Sequence, residues 1–586
     1  MIDINYKLYK PVNKGLTALQ QILYNRGIPV EDQQEWLDAG WDDINHWSLL
    51  DNMREAAEKV HSAIKKNQTI CVLMDCDCDG ITSSSIAINY LSEIYPEWTE
   101  QHLGFVFHEG KQHGLADTVG EILEEVFGDK TEGLVLIPDA ATNDAVYCKQ
   151  LVDHGLDVVV LDHHNKDTDN SYATIVNPQM DNYPNKNLVG AGVTWQFCRT
   201  YDEIYGYDCA DNYIDLCAVG QIGDMSDYRD KEVRAIVNVG QNNIRNPFLR
   251  GMIKKNEYSI NKMNGINYYS IAFYLVPYIN AITRSATVEE KEMVYKSFLT
   301  MTAFDEVPSS KRGHTGEMVK RWEEAITIAD RVKRRQTKVQ DEALAYFSDK
   351  IEQELLDDNA MVFLVDEDEQ VPPTVRGLLA NKIQAKAQRP TAVLTLSEDG
   401  KELSGSIRNY SLSVNQDLKA TLESTSVDVT VQGHSNAAGC LLKTAQLPRL
   451  KAELNEIYKD VDQTPTYHVD YDWNIHQIDE NKILQIGAMD IYGQNIPESL
   501  ICIHDIPLDD CKVTLMGLEK GHPTLKIQVG NVSIIKFKSS EEEYEAFLQP
   551  SCTLTVIGKC QVNEWNGNVS PQVICEDYDL EEEWVF

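Results

Sequence analysis

No two of the 13 cysteines stand in CxxC spacing, the closest pair being Cys76-x-Cys78, which excludes a zinc ribbon. Their odd number in a chain of 586 residues argues against a disulfide framework and for a reducing, cytoplasmic setting. Apolar runs of the roughly 18 residues needed to cross a bilayer are missing, so no membrane role is expected. The start, Met1-Ile2-Asp3-Ile4-Asn5-Tyr6, lacks the basic stretch and apolar core of a secretion signal. Basic residues are scarce: 53 Lys+Arg against 92 Asp+Glu gives 53 − 92 = −39. That deficit points away from a nucleic-acid enzyme, which carries a basic footprint, although net charge says little about one cleft. What is present, 42% hydrophobic and 25% charged residues, is ordinary globular composition. The length calls for several domains, since single cores stop growing at roughly 250–300 residues.

Hydrophobic spacing organises the chain. Residues 15–66 read as helical, with Leu16, Leu19, Ile22 and Leu23 at helical intervals and a second helix over Leu49–Lys66. Three short apolar runs follow, Ile70–Met74, Leu134–Ile137 and Val158–Leu161, and carboxylates stand close behind each. Helical patterns over Ile81–Tyr95 and Asn143–His154 separate them, which predicts a parallel sheet covered on both faces. Sites in such sheets form where strands reach their carboxyl ends, where these aspartates sit. A long helical connector covers about Lys311–Leu356, and its Lys311–Lys338 part holds nine basic residues against four acids. A second α/β pattern follows in Ala360–Val365, Val375–Gln388 and Thr391–Leu396. Beyond Pro465 the strands Lys512–Met516, Thr524–Val529, Val532–Phe537 and Thr553–Val562 predict a small barrel, and Glu576–Glu583 reads as a solvated acidic tail.

The densest chemistry lies in Met74-Asp75-Cys76-Asp77-Cys78-Asp79-Gly80-Ile81-Thr82. Strand alternation would put Asp75, Asp77 and Asp79 on one side and the cysteines on the other. Three carboxylates that close repel unless a hard divalent cation neutralises them. A calcium EF-hand is excluded because its twelfth position is Ile86, not Glu, and an apolar strand precedes the loop. Asp139 follows the second strand, Asp162-His163-His164 the third, and Gly220-Gln221-Ile222-Gly223-Asp224 offers a fourth carboxylate. Carboxylates with one or two imidazoles suit Mn²⁺ or Mg²⁺ better than zinc.

D-x-D-x-D-G-x-T, a lone Asp after a strand, Asp-His-His and Gly-x-x-x-Asp together resemble the four motifs of the DHH phosphoesterase superfamily. Gly190-Ala191-Gly192-Val193-Thr194 and Pro277–Arg284 resemble two connecting motifs of the RecJ single-strand-specific exonucleases. Gly433-His434-Ser435-Asn436-Ala437-Ala438-Gly439 is similar to the signature of the DHH-associated domain. Ile491–Glu498, His522–Lys526 and Asn563–Gly567 are similar to the OB-fold of that family, and the ordered matches run from about Gln20 onward.

The resemblance implies an α/β protein: an N-terminal helical segment (1–66), a parallel-sheet DHH domain (67–305), the helical connector (306–358), a second α/β DHH-associated domain (359–464) and a C-terminal β-barrel of OB type (465–586). It implies a 5′ to 3′ single-stranded DNA exonuclease working through two divalent cations, Mn²⁺ or Mg²⁺, in repair, recombination or replication. Asp75, Asp77, Asp79, Asp139, His163 and Asp224 would hold the metals, and His164, Asp162 and Asp75 would be catalytic. Ser406 and Arg408 would take a 5′-phosphate, with Arg284, Asn280, Gly433, His434 and His108 near the substrate. Trp565 is a candidate for base stacking. The expected partner is single-stranded DNA with a 5′ end, alongside replication or repair proteins, the enzyme itself being a monomer.

Three positions depart from the family pattern: His108 stands for an end-binding Arg, Gln432 for the first glycine of Gly-Gly-His, and Ala141 for a glycine of the second motif. Rival readings are a short-oligonucleotide or cyclic-dinucleotide phosphodiesterase, disfavoured by the C-terminal third, and a pyrophosphatase, disfavoured by Asp75 where His is usual. A catalytically dead replication scaffold is disfavoured by the intact aspartates.

Overall fold

The computed structural model describes residues 4–110 and 112–582. Met1–Asp3, part of the stretch read for a secretion signal, and Glu583 of the acidic segment lie outside the described residues. Two compact bodies form, one from Gln34–Lys338 with Tyr492–Asn495, the other from the residues up to Gln33, Val339–Ile491 and Ile496 onward. Among the described residues no helix is long and apolar enough to cross a membrane.

The first body is built on five parallel strands in the order Leu103–Phe107, Thr69–Met74, Gly133–Pro138, Leu156–Leu161, Thr174–Val176. Every residue of Thr69–Met74 and Gly133–Pro138 is buried, as continuous apolar runs require when helices cover both faces. On one face Cys71, Leu73, Val135, Ile137, Val158 and Val160 pack with Cys148 and Leu151 of the Ala145–His154 helix. Helices Met53–Lys65, Cys78–Ile94 and Gly190–Tyr205 also pack on these strands. The order in which strands are added reverses between Thr69–Met74 and Gly133–Pro138, the switch point where such sheets open a crevice. Asp75 and Asp139 follow those two strands. The edge strand Leu103–Phe107 has no counterpart in the sequence reading, being only half-buried and preceded directly by a helix.

In the second body the strands Val429–His434, Ala437–Lys443, Glu402–Arg408, Thr391–Leu396 and Val362–Asp366 form a mixed sheet in that order. Only the last two pair in parallel. The C-terminal sheet has seven strands: Tyr471–Asn474, Leu500–Pro507, Cys552–Trp565, Asn568–Glu582, Val532–Phe537, Thr524–Val529 and Lys512–Met516. Among the described residues no ladder joins its two edges, so the expected barrel is open, with an edge strand of only four residues. The expected acidic tail is instead the Asn568–Glu582 strand, paired along the whole of Cys552–Trp565. A bulge at Glu576 lets Val573 and Leu580, seven residues apart, both point inward, while Glu576 and Glu581 are exposed.

The expected all-helical start also gains a strand. Asn5–Leu8 pairs in parallel with Thr466–Val469. Within the same body Arg26 forks onto buried Asp470 at 2.7 and 2.9 Å, and Asn25 adds a third bond at 2.7 Å. In the connector, residues 306–320 contain a small hairpin, Glu306–Pro308 with Met318–Lys320, and the long helix runs from Arg321 to Tyr346.

Candidate metal centre

The aspartate-rich turn does not continue as a strand. Asp77 caps the Cys78–Ile94 helix, its carboxylate accepting the Gly80 N–H at 3.0 Å, so extended structure ends there. Asp79 therefore lies in the first helical turn, and simple alternation of Asp75, Asp77 and Asp79 against the cysteines is replaced by a strand-to-helix corner. Gly80 permits the corner: a Cβ there would lie 2.6 Å from Asp75 Cβ and 2.7 Å from its backbone.

Helix Gly190–Tyr205 aims its first N–H groups at Asp79. Gly190 N and Ala191 N donate to its two oxygens at 2.7 and 2.9 Å. A Cβ on Gly190 would meet Asp139 Cβ at 2.5 Å, so this glycine brings Asp79 and Asp139 onto one site. Asp139 itself adopts a left-handed conformation with φ 64°, and Ala141 follows with φ 78°. The family's glycine would be relaxed at the latter position; alanine holds it at a strain of roughly 1–2 kcal/mol.

Asp162 is the buried hub of the next corner. It accepts Thr142 N at 3.0 Å, His163 N at 2.7 Å and His164 Nδ1 at 2.8 Å. His163 Nε2 consequently reaches the middle of the cluster, 3.1 Å from Asp139 Oδ1 and 3.8 Å from both Asp79 Oδ2 and Asp224 Oδ2. The approach to Asp139 is not aligned as a hydrogen bond, and Asp139 Oδ1 stays buried with no partner. Ligand-type atoms of Asp75, Asp77 and Asp139 lie within 4.8 Å of one another, as do those of Asp139, Asp162, His163 and His164. Asp139 belongs to both groups.

On the far side, Asp75 accepts His113 Nδ1 at 2.6 Å and Gly114 N at 3.1 Å. His108 Nε2 approaches to 3.2 Å without hydrogen-bond alignment. His108, expected at the substrate, is only 2% exposed and stands behind Asp75. Its segment is tethered by Lys291, 1% exposed, whose Nζ donates to the carbonyls of His108 at 3.0 Å and Glu109 at 2.7 Å. His113 is not among the residues the sequence motifs single out. Its signal is the His-Gly pair, imidazole and N–H together gripping one carboxylate. Its ring also lies 4.7 Å from that of His164.

Asn280 and Arg284 belong to this first body, one turn apart on the Val276–Ser285 helix. Ser406, Arg408, Gly433 and His434 belong to the second. There Ser406 and Arg408 sit on one strand, and Arg408 Nη2 lies over Gly377, 2.5 Å from where a Cβ would stand, with Ser406 Oγ 3.6 Å from the same point. Gly433 (φ 125°) and exposed His434 end the Val429–His434 strand. Trp565 is 73% exposed at a hairpin tip.

Comparison with known proteins fits this geometry. The DHH family, N-terminal domain, matches residues 69–221, and the RecJ OB domain matches 469–577. A SPbeta prophage-derived single-strand DNA-specific exonuclease, YorK, of Bacillus subtilis is 32% identical over 587 aligned positions, 99% of this chain and 98% of that protein. The chain belongs to the RecJ-type exonucleases of the DHH family. The single-stranded-DNA-specific exonuclease RecJ of B. subtilis is 26% identical, over 92% of this chain and 64% of its own. The fold is shared with RecJ from Thermus thermophilus in complex with Mn²⁺, at a TM-score of 0.70 and 21% identity, covering 96% of this chain and 76% of that one.

In this RecJ-type centre the charges explain why a cation belongs. Burial raises Asp139 well above the usual carboxylate range, and the neighbouring charges of Asp79, Asp77 and Asp75 raise it further. Asp79 is raised by burial and by Asp77, against the bonds from Gly190 and Ala191. Asp224, though its side chain is 40% accessible, is pushed up to about 7 by desolvation and the same acidic neighbours. Burial would also raise Asp75 and Asp162, but their imidazole partners outweigh it and hold both ionised. Acids raised in this way bind protons in the metal-free fold up to near neutrality, while the unfolded chain releases them near pH 4. These acids therefore make a contribution to the metal-free fold that weakens as pH rises from about 4 through 7. A divalent cation must displace those protons. Mn²⁺ affinity is thus expected to tighten several-fold between pH 6 and pH 8. Calorimetry in buffers of differing ionisation enthalpy should show net proton release, and its absence would contradict the assignment. The orphaned Asp139 oxygen and the all-carboxylate-and-imidazole donor set fit Mn²⁺ or Mg²⁺.

Proposed function

We propose that the protein removes nucleotides from the 5′ end of single-stranded DNA, hydrolysing phosphodiester bonds at a two-metal centre and releasing 5′-mononucleotides. The observation that carries this reading is the meeting of Asp79, Asp139 and Asp224 around His163 Nε2, with Asp75 and Asp77 grouped on the same Asp139 whose Oδ1 is buried without a partner, in a RecJ-type chain. Divalent cations there supply a Lewis acid and an activated water for in-line displacement.

Asp75, Asp77, Asp79, Asp139, His163 and Asp224 would hold the cations, Asp139 belonging to both groupings. Asp162 orients the adjoining pair of imidazoles. Because His164 gives its Nδ1 to Asp162, its Nε2 is the nitrogen left for the substrate. Burial disfavours its charged form, but the Asp162 bond and charge outweigh that and raise its pKa, so His164 donates to the phosphate oxygen as charge develops. His113 and His108 brace Asp75. In the second body Arg408 and Ser406, with Gly433 and His434 nearby in the sheet, form the pocket for the 5′-phosphate, where a guanidinium can fork onto two oxygens.

One single strand labelled separately at each end and incubated with Mn²⁺ tests the polarity. Immediate mononucleotide release from the 5′ label alone supports the proposal. Release from the 3′ label first would overturn it, and equal cleavage of blunt duplex would overturn strand specificity.

A further inference from the structure

The Lys311–Lys338 stretch, which runs into the long helix, carries nine basic residues against four acids. In the structure most of its cations are held in ion pairs. Arg331 and Arg335 both pair with Glu290, at 3.1 and 2.7 Å, and Arg334 pairs with Asp330 at 2.5 Å. Lys333 is different. Its Nζ meets only the amide oxygen of Gln336, at 3.2 Å, and among the described residues no carboxylate pairs with it.

Gln336 in turn donates to Ser285 Oγ at 3.0 Å, and Arg335 to Ser285 O at 2.7 Å. These bonds stitch the long helix to the end of the Val276–Ser285 helix and put Lys333 beside Arg284. Arg284 and Asn280, four residues apart, share a face of that helix. Arg284 Nε and Asn280 Oδ1 are both buried without a hydrogen-bond partner, and among the described residues Arg284 has no ion pair. The same helix packs on the Cys78–Ile94 and Ile214–Gly223 helices, which lead to Asp79 and Asp224. Burial lowers the Lys333 pKa, and the Arg284 charge lowers it further, as expected of two near cations with no anion between them.

We propose that Lys333 completes, with Arg284 and Asn280, a cradle for one backbone phosphate of the strand held at the metal centre. The proposal rests on the nucleic-acid reading given above and adds a specific contact to it. A phosphate satisfies the orphaned guanidinium N–H, neutralises the cation pair and accepts from a planar fork and a point charge together. A protein carboxylate would satisfy the charge equally, but among the described residues none pairs with either group. The contact reads no base, which suits a sequence-tolerant enzyme.

The test uses the full chain without metal and a fluorescent 5′-phosphorylated oligothymidylate, with affinity followed by anisotropy against NaCl. Lys333→Met is expected to weaken binding several-fold at low salt. It should also flatten the slope of log affinity against log salt by about 0.7, the loss of one single-strand phosphate contact. Mn²⁺ affinity and thermal midpoint should stay at wild-type values, and Lys333→Arg should restore the slope. An unchanged slope in Lys333→Met overturns the cradle, as does a loss of slope accompanied by lost Mn²⁺ binding or stability. If the wild-type chain binds no single strand, the functional reading itself falls and the cradle with it. A wild type that binds and cleaves while Lys333→Met matches its slope sinks the cradle alone.

Discussion

Asp139→Asn should abolish cleavage, by roughly 10³-fold or more, while leaving the metal-free protein at least as stable as the wild type. The two halves of this expectation have one cause. Asp139 is buried among Asp75, Asp77 and Asp79, and its charged form is disfavoured by desolvation and by each of them. An amide removes that repulsion at unchanged volume. Asparagine also tolerates the left-handed backbone at φ 64° as well as aspartate does. What it cannot do is supply a charged oxygen to both ligand groupings. The wild type should therefore gain thermal stability on Mn²⁺ addition and the variant should not. A variant with an intact Mn²⁺-induced shift, or one that still cleaves, would remove Asp139 from the centre.

Gly220→Ala should be among the most disruptive single-methyl additions in the first body. A Cβ at 220 would stand 2.5 Å from Ala191 Cβ, 2.6 Å from Asp79 Oδ1 and 2.7 Å from Thr82 Oγ1. All three neighbours are buried on rigid helices, so none can swing away. Overpacking of this kind costs about 3 kcal/mol, which is roughly 5–10 °C of thermal midpoint in a domain of this size. It also pushes Asp79 off the Gly190 and Ala191 N–H groups, so Mn²⁺ affinity should fall by roughly 10–100-fold. Gly120→Ala is the control, because a Cβ there meets nothing within 4 Å. Equal midpoints for the two variants would show that the three helices yield where the packing says they cannot.

Much of the centre is legible in the sequence because its residues follow short apolar strands that are buried on both faces, and that pattern is local. The ordered DHH and RecJ-type motifs then single out Asp75, Asp77, Asp139 and His163, which the fold brings together. What the pattern misses depends on contacts far along the chain or on backbone geometry. Alternation puts Asp79 on a strand face because nothing in the spacing reveals that Asp77 caps a helix. The motif puts His108 at the substrate, but its burial behind Asp75 follows from the Lys291 tether, 183 residues away. Asn5–Leu8 looks like nothing until Thr466–Val469 supplies its ladder. The acidic segment hides its strand because the bulge at Glu576 breaks the period of two. The sequence shows the basic excess of Lys311–Lys338, but not that Arg331, Arg334 and Arg335 are held in ion pairs by Glu290 and Asp330.

The Asn568–Glu582 strand lies fourth of seven in its sheet, between Cys552–Trp565 and Val532–Phe537. Among the described residues, then, the three-stranded block from Lys512 to Phe537 has no ladder to the other half of the sheet except through this strand. Until it docks, two edges stand unpaired at once, which makes its insertion the step that joins the sheet.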